Sequence, residues 1–275
     1  MTDITDAVTA PVPAPVTAAR TADQPLAGRR ALVTGGASGI GAAIVRALAS
    51  RGAHVVVADI DTHGAAALAE EVGGSIWTVN LMKTDALTDD VLATALNGVD
   101  ILVNNAGIQR ISPIKDFAPS DFHNILALML EAPFLLIRAV LPQMYAANFG
   151  RIINVSSVHG IRASPFKSAY VAAKHGLEGL SKVTALEGGA HGVTSNCVAP
   201  GYVRTPLVEK QIADQALLHG IPEAEVLNQI MLTESAIKRL VEPAEVGSLV
   251  AWMASDDAAM VTGSSYTMDG GWSAR

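Results

Sequence analysis

The sequence is poor in cysteine: Cys197 is its single thiol, and neither a C-x-x-C nor an H-E-x-x-H spacing occurs. One cysteine cannot form an intrachain disulfide, and the usual ligand patterns of zinc sites are missing, so we expect no metal. A chain without disulfides is typical of a reducing compartment. We therefore expect a cytoplasmic protein.

Charged residues are also few, at 16%, and aromatic residues make up only 4% of the chain. The 19 basic and 26 acidic residues give a net charge of −7, without a run of Lys or Arg. Nucleic-acid binding rests on clustered positive charge, so we expect no nucleic-acid partner. Glycines and charged residues such as Glu131 and Arg138 interrupt the apolar stretches, which predicts no membrane-spanning helix.

Hydrophobic residues, by contrast, make up 50% of the chain, enough to bury a sizeable core. The N-terminal segment differs, because Pro11, Pro13 and Pro15 occupy alternate positions and disfavour both helix and sheet. Its acidic start at Asp3 and Asp6 is unlike a signal peptide. We predict a disordered tail over residues 1–27 and a single domain over residues 28–275.

After the tail, short apolar runs alternate with longer amphipathic segments, which predicts an α/β fold. Continuous apolar runs are typical of buried parallel strands, so we expect a doubly wound, Rossmann-type sheet of seven parallel strands. Strands are predicted at Ala31–Thr34, His54–Asp59, Ile76–Val79, Ile101–Asn104, Arg151–Ser156, Thr194–Val198 and Ser265–Met268. Helices are predicted at Gly39–Arg51, Thr62–Val72, Ser120–Asn148, Ser168–Gly188 and Pro243–Ser255. Residues 205–240 are predicted to form a small helical lid over a cleft.

A glycine-rich turn follows the first predicted strand and opens a helix, the context that a dinucleotide site requires. Gly35 permits a tight turn, Gly39 lets the backbone approach a pyrophosphate, and Gly41 lets helix pack on strand. The free N–H groups of the helix N-terminus then face the anion. The predicted phosphate-binding residues are Gly35, Ser38, Gly39, Ile40 and Gly41.

Asp59 ends the second predicted strand, where an acidic side chain can bind the ribose hydroxyls of an adenosine. A carboxylate there repels a 2′-phosphate, and the turn supplies Gly36 and Ala37 rather than a basic residue. The cofactor is therefore predicted to be NAD. Asp59 is also suited to capping the following helix, and the two roles are compatible.

Tyr170 and Lys174 stand four positions apart in a predicted helix and so share one face. A phenol needs a neighbouring cation to ionise usefully at neutral pH, so Tyr170 is a candidate general base and Lys174 its cation. Ser157 follows the fifth predicted strand and is expected at the same cleft, because ligands bind at strand carboxyl ends. Its hydroxyl is a candidate for holding the substrate oxygen.

These motifs together resemble the short-chain dehydrogenase/reductase family over residues 28–275. The resemblance implies hydride transfer with nicotinamide, a catalytic tyrosine, a lysine that binds the nicotinamide ribose, and a substrate-orienting serine. It also implies a homotetramer. Further cofactor contacts that it implies are Asn80, Leu81, Asn105, Ala106, Gly107, Pro200, Gly201, Val203 and Thr205, with Tyr170 and Lys174.

Segments such as Lys167–Gly176, Val203–Gln211 and Asp269–Arg275 are most similar to the D-3-hydroxybutyrate dehydrogenase branch of this family. That likeness implies a carboxylate-binding set, which suits a small hydroxy acid with one fixed anion. Together with Ser157 and Tyr170, the implied substrate residues are Gln109, His159, Lys167 and Gln211.

Two positions depart from the family pattern. Met129 stands where an asparagine is usual, and a thioether cannot replace an amide that holds backbone or water. The proton relay behind Lys174 is therefore in question. Asn80 stands where the family often has an aspartate, a change we expect to be mild.

The sequence thus predicts an NAD-dependent oxidoreductase that interconverts (R)-3-hydroxybutyrate and acetoacetate. One alternative keeps the fold but acts on another hydroxy acid, a sugar alcohol or a 3-oxoacyl thioester. A second alternative is an NAD-binding sensor or scaffold without turnover, which Met129 favours and the presence of Ser157, Tyr170 and Lys174 disfavours.

Overall fold

The computed structural model describes residues 23–274, apart from the side chains of Leu207, Lys210, Gln211, Asp214, Gln215 and Leu218 in one helix. Most of the predicted tail, residues 1–22, lies outside the described part. Leu26 and Ala27, at the end of that predicted tail, are buried in the domain. The Leu26 N–H donates to the Arg51 carbonyl at 2.9 Å. The packed domain therefore begins before residue 28, which moves the predicted boundary toward the N-terminus.

Seven parallel strands form one sheet in the order β3-β2-β1-β4-β5-β6-β7. The strands are β1 Arg30–Thr34, β2 His54–Asp59, β3 Ser75–Thr78, β4 Ile101–Asn104, β5 Gly150–Val155, β6 Val193–Pro200 and β7 Ser265–Met268. The predicted fold class is confirmed. The strand order reverses between β1 and β4, and such a switch point opens a crevice at the carboxyl ends of the strands.

Helices cover both faces of the sheet. Successive residues of a strand point to opposite faces, so the apolar strands need a helical layer on each side. The helices are α1 Gly39–Ala49, α2 Thr62–Val72, α3 Asp89–Ala95, α4 Pro119–Leu126, α5 Ala132–Ala147, α6 Ser168–Gly188, α7 Pro206–His219, α8 Glu223–Val226 and α9 Pro243–Met253. Ala31 and Val33 pack with α1, α2 and α9, whereas Leu32 packs with α3, α5 and α6. Two apolar cores of mostly aliphatic residues result.

The long helix predicted at Ser120–Asn148 is interrupted. A π-helical turn, Ala127–Glu131, joins α4 to α5. The combined helix Pro119–Ala147 is long and apolar enough to cross a membrane by length and composition, and 44% of its most apolar window is buried inside the fold. Its residues Leu136 and Val140 are fully buried against the sheet. Such burial is what a core helix of a doubly wound domain requires.

The predicted lid consists of α7, α8 and a second π-helical turn, Leu227–Met231. Its small apolar cluster centres on Ile212, Val226 and Leu240 and is separate from the two main cores.

Helix α3 was absent from the sequence prediction. Thr88 caps it by accepting from the Val91 N–H.

Candidate active site

Residues at or just after the carboxyl ends of all seven strands line one cavity of about 760 Å³. Parallel strands bring these ends to one edge of the sheet, so residues far apart in sequence meet there. The predicted site residues that line the cavity are Gly35, Ser38, Gly39, Ile40, Asp59, Asn80, Leu81, Asn105, Ala106, Gly107, Gln109, Ser157, His159, Lys167, Tyr170, Lys174, Pro200, Gly201, Val203 and Thr205.

The glycine-rich turn has the backbone that its glycines allow. Gly35 and Gly39 have positive φ angles of 61° and 53°. A Cβ on Gly35 would come within 2.9 Å of the Ala106 Cα, so a side chain there would separate the turn from β4. A Cβ on Gly41 would strike the Gly35 carbonyl oxygen. Gly41 therefore packs behind the turn and is not part of the cavity wall.

Thr34 and Asn105 hold this turn in place. The N–H groups of Asn105 and Ala106 donate to the Thr34 hydroxyl at 2.9 and 3.0 Å. The Asn105 amide donates to the carbonyl oxygens of Thr34 and Gly35 at 2.9 and 3.0 Å. Because the Asn105 amide is hydrogen-bonded to these carbonyl oxygens, the polar groups that the turn presents to the cavity are mainly donors.

The N-terminus of α1 suits a pyrophosphate. Ser38 precedes the helix in an extended conformation, and its side chain makes no capping hydrogen bond. The first N–H groups of this 11-residue helix thus have no side-chain acceptor from Ser38, and they open on the cavity. Free helix donors and the helix dipole favour an anion at this position.

Asp59 contacts the same turn from β2. One carboxylate oxygen accepts from the Ala37 N–H at 2.9 Å and the other from the Asp61 N–H at 3.0 Å. Asp61, rather than Asp59, caps α2, so the capping role that the sequence allowed for Asp59 is wrong. Among the described cavity residues the only cations are Lys167 and Lys174, and neither is on this side. Asn80 accepts from the Met82 N–H within its own turn.

The opposite wall comes from the segment after β6. The Gly201 N–H donates to the Met268 carbonyl at 3.1 Å, and a Cβ on Gly201 would lie 3.1 Å from the Asp269 Cα. Thr205 caps α7, and its methyl group is 3.5 Å from the Cβ position of Gly39. The start of α7 therefore faces the glycine-rich turn across the cavity.

Ser157, Tyr170 and Lys174 meet in the middle of the cavity. The Ser157 hydroxyl lies near enough to the Tyr170 phenol to interact with it, and it accepts from the His159 N–H at 3.1 Å. Lys174 donates to the Val155 carbonyl at 2.6 Å, and its ammonium lies 5.8 Å from the centre of the Tyr170 ring. Burial raises the pKa of Tyr170, and the interaction with Ser157 opposes that rise. Burial lowers the pKa of Lys174 to about 8.

His159 and Lys167 form a polar group beside Tyr170. The His159 Nε2 lies 2.9 Å from the Ser164 hydroxyl and 3.5 Å from the Lys167 ammonium. The His159 ring meets Tyr170 edge-on and stacks on Trp272. Burial, with the Lys167 charge second, lowers the pKa of His159 to about 4, so this histidine is neutral near pH 7. Burial also lowers the pKa of Lys167.

The remaining predicted substrate residues are Gln109 and Gln211. Gln109 lines the cavity after β4. Gln211 belongs to α7, but its side chain is outside the described residues. Ser164 and Trp272 were missed by sequence reasoning. Trp272 lies in Asp269–Arg275, one of the segments that carried the resemblance, whereas Ser164 lies just before Lys167–Gly176. Their place in the cavity wall became visible only when the loop after β5 and the C-terminal turn came together.

Met129 lies in the π-helical turn between α4 and α5 and is 1% exposed. Its sulfur is 3.6 Å from the Cβ position of Gly107. The thioether thus occupies a cavity wall where it supplies no hydrogen-bonding amide.

A profile of the family described as Enoyl-(Acyl carrier protein) reductase matches residues 35–273. D-beta-hydroxybutyrate dehydrogenase of Rhizobium meliloti is 46% identical over 259 residues, which cover 90% of this chain and 99% of that protein. The enzyme of the same name from Cupriavidus necator is 43% identical, covering 91% of this chain and 100% of that protein.

A solved structure agrees with these relatives. The crystal structure of a putative 2-deoxy-D-gluconate 3-dehydrogenase from Agrobacterium tumefaciens, with bound NADP, has a TM-score of 0.81 and 31% identity. It covers 93% of this chain and 100% of its own. With this likeness along nearly the whole length, and with serine, tyrosine and lysine side chains meeting beside a nucleotide-type turn, the chain belongs to the short-chain dehydrogenase/reductase family of oxidoreductases.

Proposed function

We propose that this oxidoreductase is NAD-dependent and interconverts (R)-3-hydroxybutyrate and acetoacetate. The observation that carries the proposal is the pairing of Lys167 with a neutral His159 beside Tyr170. A small hydroxy acid presents one carboxylate and one hydroxyl a few ångströms apart. The pocket offers a cation for the first and a phenol for the second.

The carboxylate is bound by Lys167, with neutral donors around it. Because His159 is uncharged near neutral pH, it complements the anion as a hydrogen-bonding partner without adding a second charge to a half-buried pocket. Ser164 and Gln109 add neutral hydrogen-bonding groups, and Gln211 on α7 is proposed to do so from the lid. Charge-assisted hydrogen bonds of this kind are stronger than neutral ones.

The chemical step is a proton transfer at Tyr170 coupled to a hydride transfer. The nicotinamide cofactor, when bound, supplies the acceptor for the hydride that leaves C3 of the substrate. Tyr170 as phenolate takes the proton from the substrate hydroxyl, and Ser157 holds the same oxygen. Lys174 supplies the positive charge that offsets the effect of burial on the phenol. In the reverse direction Tyr170 returns the proton to the carbonyl oxygen.

NAD is proposed over NADP on the basis of Asp59. The turn between Gly35 and Gly41, with the α1 N-terminus, would hold the pyrophosphate, and Asp59 would face the adenosine ribose. Neither Ala37 nor the exposed Ile60 offers a positive charge for a 2′-phosphate. Because the Agrobacterium structure contains NADP, the preference between NAD and NADP is measured directly in the experiment below.

Other substrates of the same class are the second candidate, favoured by the sugar-acid name of the structural relative. A 3-oxoacyl thioester lacks the free carboxylate that Lys167 would bind, so we place it below the hydroxy acids. A sensor without turnover would not need Ser157, Tyr170 and Lys174 together.

We also propose a homotetramer, by analogy with the family. A cytoplasmic location is proposed because a chain with a single cysteine suits a reducing compartment. The proposals that the protein has no nucleic-acid or membrane partner rest on composition alone.

The deciding experiment measures NADH formation at 340 nm with (R)-3-hydroxybutyrate, (S)-3-hydroxybutyrate, other hydroxy acids and sugar-derived alcohols, each with NAD and with NADP. We expect the highest kcat/KM with (R)-3-hydroxybutyrate and NAD. A higher value with any other pair would overturn the proposed function.

A further inference from the structure

Behind Lys174, helix α6 carries a second charged residue that the mechanism above does not use. Glu178 follows Lys174 by four positions, so the two side chains share one helix face. Both are almost completely buried, with 4% of Lys174 and 5% of Glu178 exposed. A buried carboxylate is costly unless it is paired or hydrogen-bonded, so its place beside a buried ammonium needs an explanation.

Glu178 is fixed from the side of the sheet. The Ser265 hydroxyl on β7 donates to its carboxylate at 3.1 Å. The Cys197 thiol on β6 lies on the same side, near enough to Glu178 and Ser181 for both to affect its pKa. A Cβ on Gly160 would lie 3.2 Å from a Glu178 oxygen, so this loop residue closes over the carboxylate. These contacts hold the negative charge in one place.

Lys174 has few other groups that favour its charge. Its ammonium donates to the Val155 carbonyl of β5 at 2.6 Å. The titratable groups that face it among the described residues are Tyr170 and Glu178 on its own helix and Cys197 on β6. The π-helical turn contributes the uncharged Met129 to the same cavity. Of these groups, only Glu178 has a carboxyl side chain.

We propose that Glu178 is a positioning residue of the reaction, whose buried carboxylate keeps Lys174 charged and directed at the cavity. Burial acts against the ammonium and lowers the pKa of Lys174, while Cys197 and, after it, the Glu178 carboxylate act in the opposite direction. The inference rests on the proposed roles of Tyr170 and Lys174, and not on the identity of the substrate.

Substitution of Glu178 has a distinctive consequence for catalysis, because Tyr170 and Lys174 share their protons. When the pair loses its first proton, the proton must come from Tyr170 for the phenolate to form beside a charged lysine. Without Glu178 the first proton comes more often from Lys174, and at a lower pH. The active phenolate–ammonium form then becomes rarer although deprotonation begins earlier.

The test compares Glu178→Gln with Glu187→Gln, the same chemical change at an exposed position of α6. In Glu178→Gln we expect the acidic limb of the kcat profile for alcohol oxidation to move down by about one pH unit and its plateau to fall about tenfold. Glu178→Asp keeps the charge and should restore most of the plateau. Glu187→Gln should match the unsubstituted protein.

A second measurement needs no substrate. NADH affinity, followed by NADH fluorescence, should be the same in Glu178→Gln and the unsubstituted protein at pH 6, where Lys174 is protonated in both. At pH 8 it should be several-fold weaker in Glu178→Gln. If the ratio of the two affinities is the same at both pH values, and the pH profile keeps its midpoint, Glu178 is merely structural and the proposal is wrong.

Two further outcomes are decisive. If Glu178→Gln does not fold, the double variant Lys174→Met/Glu178→Gln, which removes the buried ammonium together with the carboxylate, should fold again. Failure of that double variant would overturn the proposed coupling between the two residues. A protein that shows the pH-dependent NADH affinity but no activity on (R)-3-hydroxybutyrate would support Glu178 while rejecting the proposed substrate.

Discussion

Replacement of Lys167 by alanine tests how the pocket binds a carboxylate. The ammonium lies at the cavity wall, 3.5 Å from the His159 Nε2, and burial acts against its charge. A charge-assisted hydrogen bond from such a group to a carboxylate contributes roughly 1.5–3 kcal/mol. At about 1.4 kcal/mol per factor of ten, its loss should raise KM for (R)-3-hydroxybutyrate by about 10- to 150-fold. Turnover should change much less, because Lys167 does not touch the reacting oxygen.

The assay measures KM for (R)-3-hydroxybutyrate and for its methyl ester, which keeps the shape but loses the charge. The ester should be a poor substrate of the unsubstituted protein and should lose little more in Lys167→Ala. Lys115→Ala is the matched control, because Lys115 ends the same R-x-S-P-x-K pattern as Lys167. Its side chain is 80% exposed and paired with Asp116 at 2.9 Å, so its removal should leave both KM values unchanged. Equal losses on acid and ester would refute carboxylate recognition by Lys167.

Four further predictions concern the rest of the cavity. Tyr170→Phe should lower kcat by about 10²- to 10⁴-fold with little change in NADH affinity, since it removes the proton carrier, and near-normal turnover would contradict its role. Asp59→Ala should reduce the preference for NAD over NADP, measured as the ratio of the two kcat/KM values, at least about tenfold. It should also weaken NAD binding, because it removes the acceptor for the Ala37 N–H. An unchanged ratio would show that Asp59 does not select the cofactor. Because the pKa of His159 is lowered in the folded protein, the unfolded chain binds an extra proton between about pH 6.5 and 4. The urea concentration at the unfolding midpoint should therefore fall as pH decreases through this range. His159→Gln should make that decrease smaller. Met129→Asn should change turnover by less than about tenfold, because Lys174 is held by the Val155 carbonyl without an amide at this position; a steep rise in turnover would show that the natural proton relay is impaired.

Local pattern was sufficient for most elements of the fold. The strands His54–Asp59, Ile101–Asn104 and Ser265–Met268 and the helices Thr62–Val72 and Ser168–Gly188 have the predicted bounds. Each is a strongly periodic or continuous apolar segment with a clear start or stop signal. The missed helix α3 is short and buries only Leu92, so its sequence carries a weak apolar pattern.

Two features that the sequence did not predict are the start of the packed domain and the interruption of the helix Ser120–Asn148. Leu26 is buried in the apolar core and its N–H pairs with the Arg51 carbonyl, and nothing in the proline-rich segment indicates these partners. The π-helical turn at Ala127–Glu131 inserts an extra residue into a helix whose sequence reads as continuous.

For the active site, the sequence by itself determined the chemistry that is present. The glycine spacing, the acidic end of β2 and the Tyr170–Lys174 pair are local patterns, because each depends on neighbours within one turn or one helix. Only the tertiary structure decided which groups face one another. Trp272 stacks on His159, and burial keeps this histidine neutral. Ser265 of β7 donates a hydrogen bond to Glu178. Each of these features depends on segments that are far apart in the chain. Burial is a property of the assembled sheet, and it sets the protonation of His159.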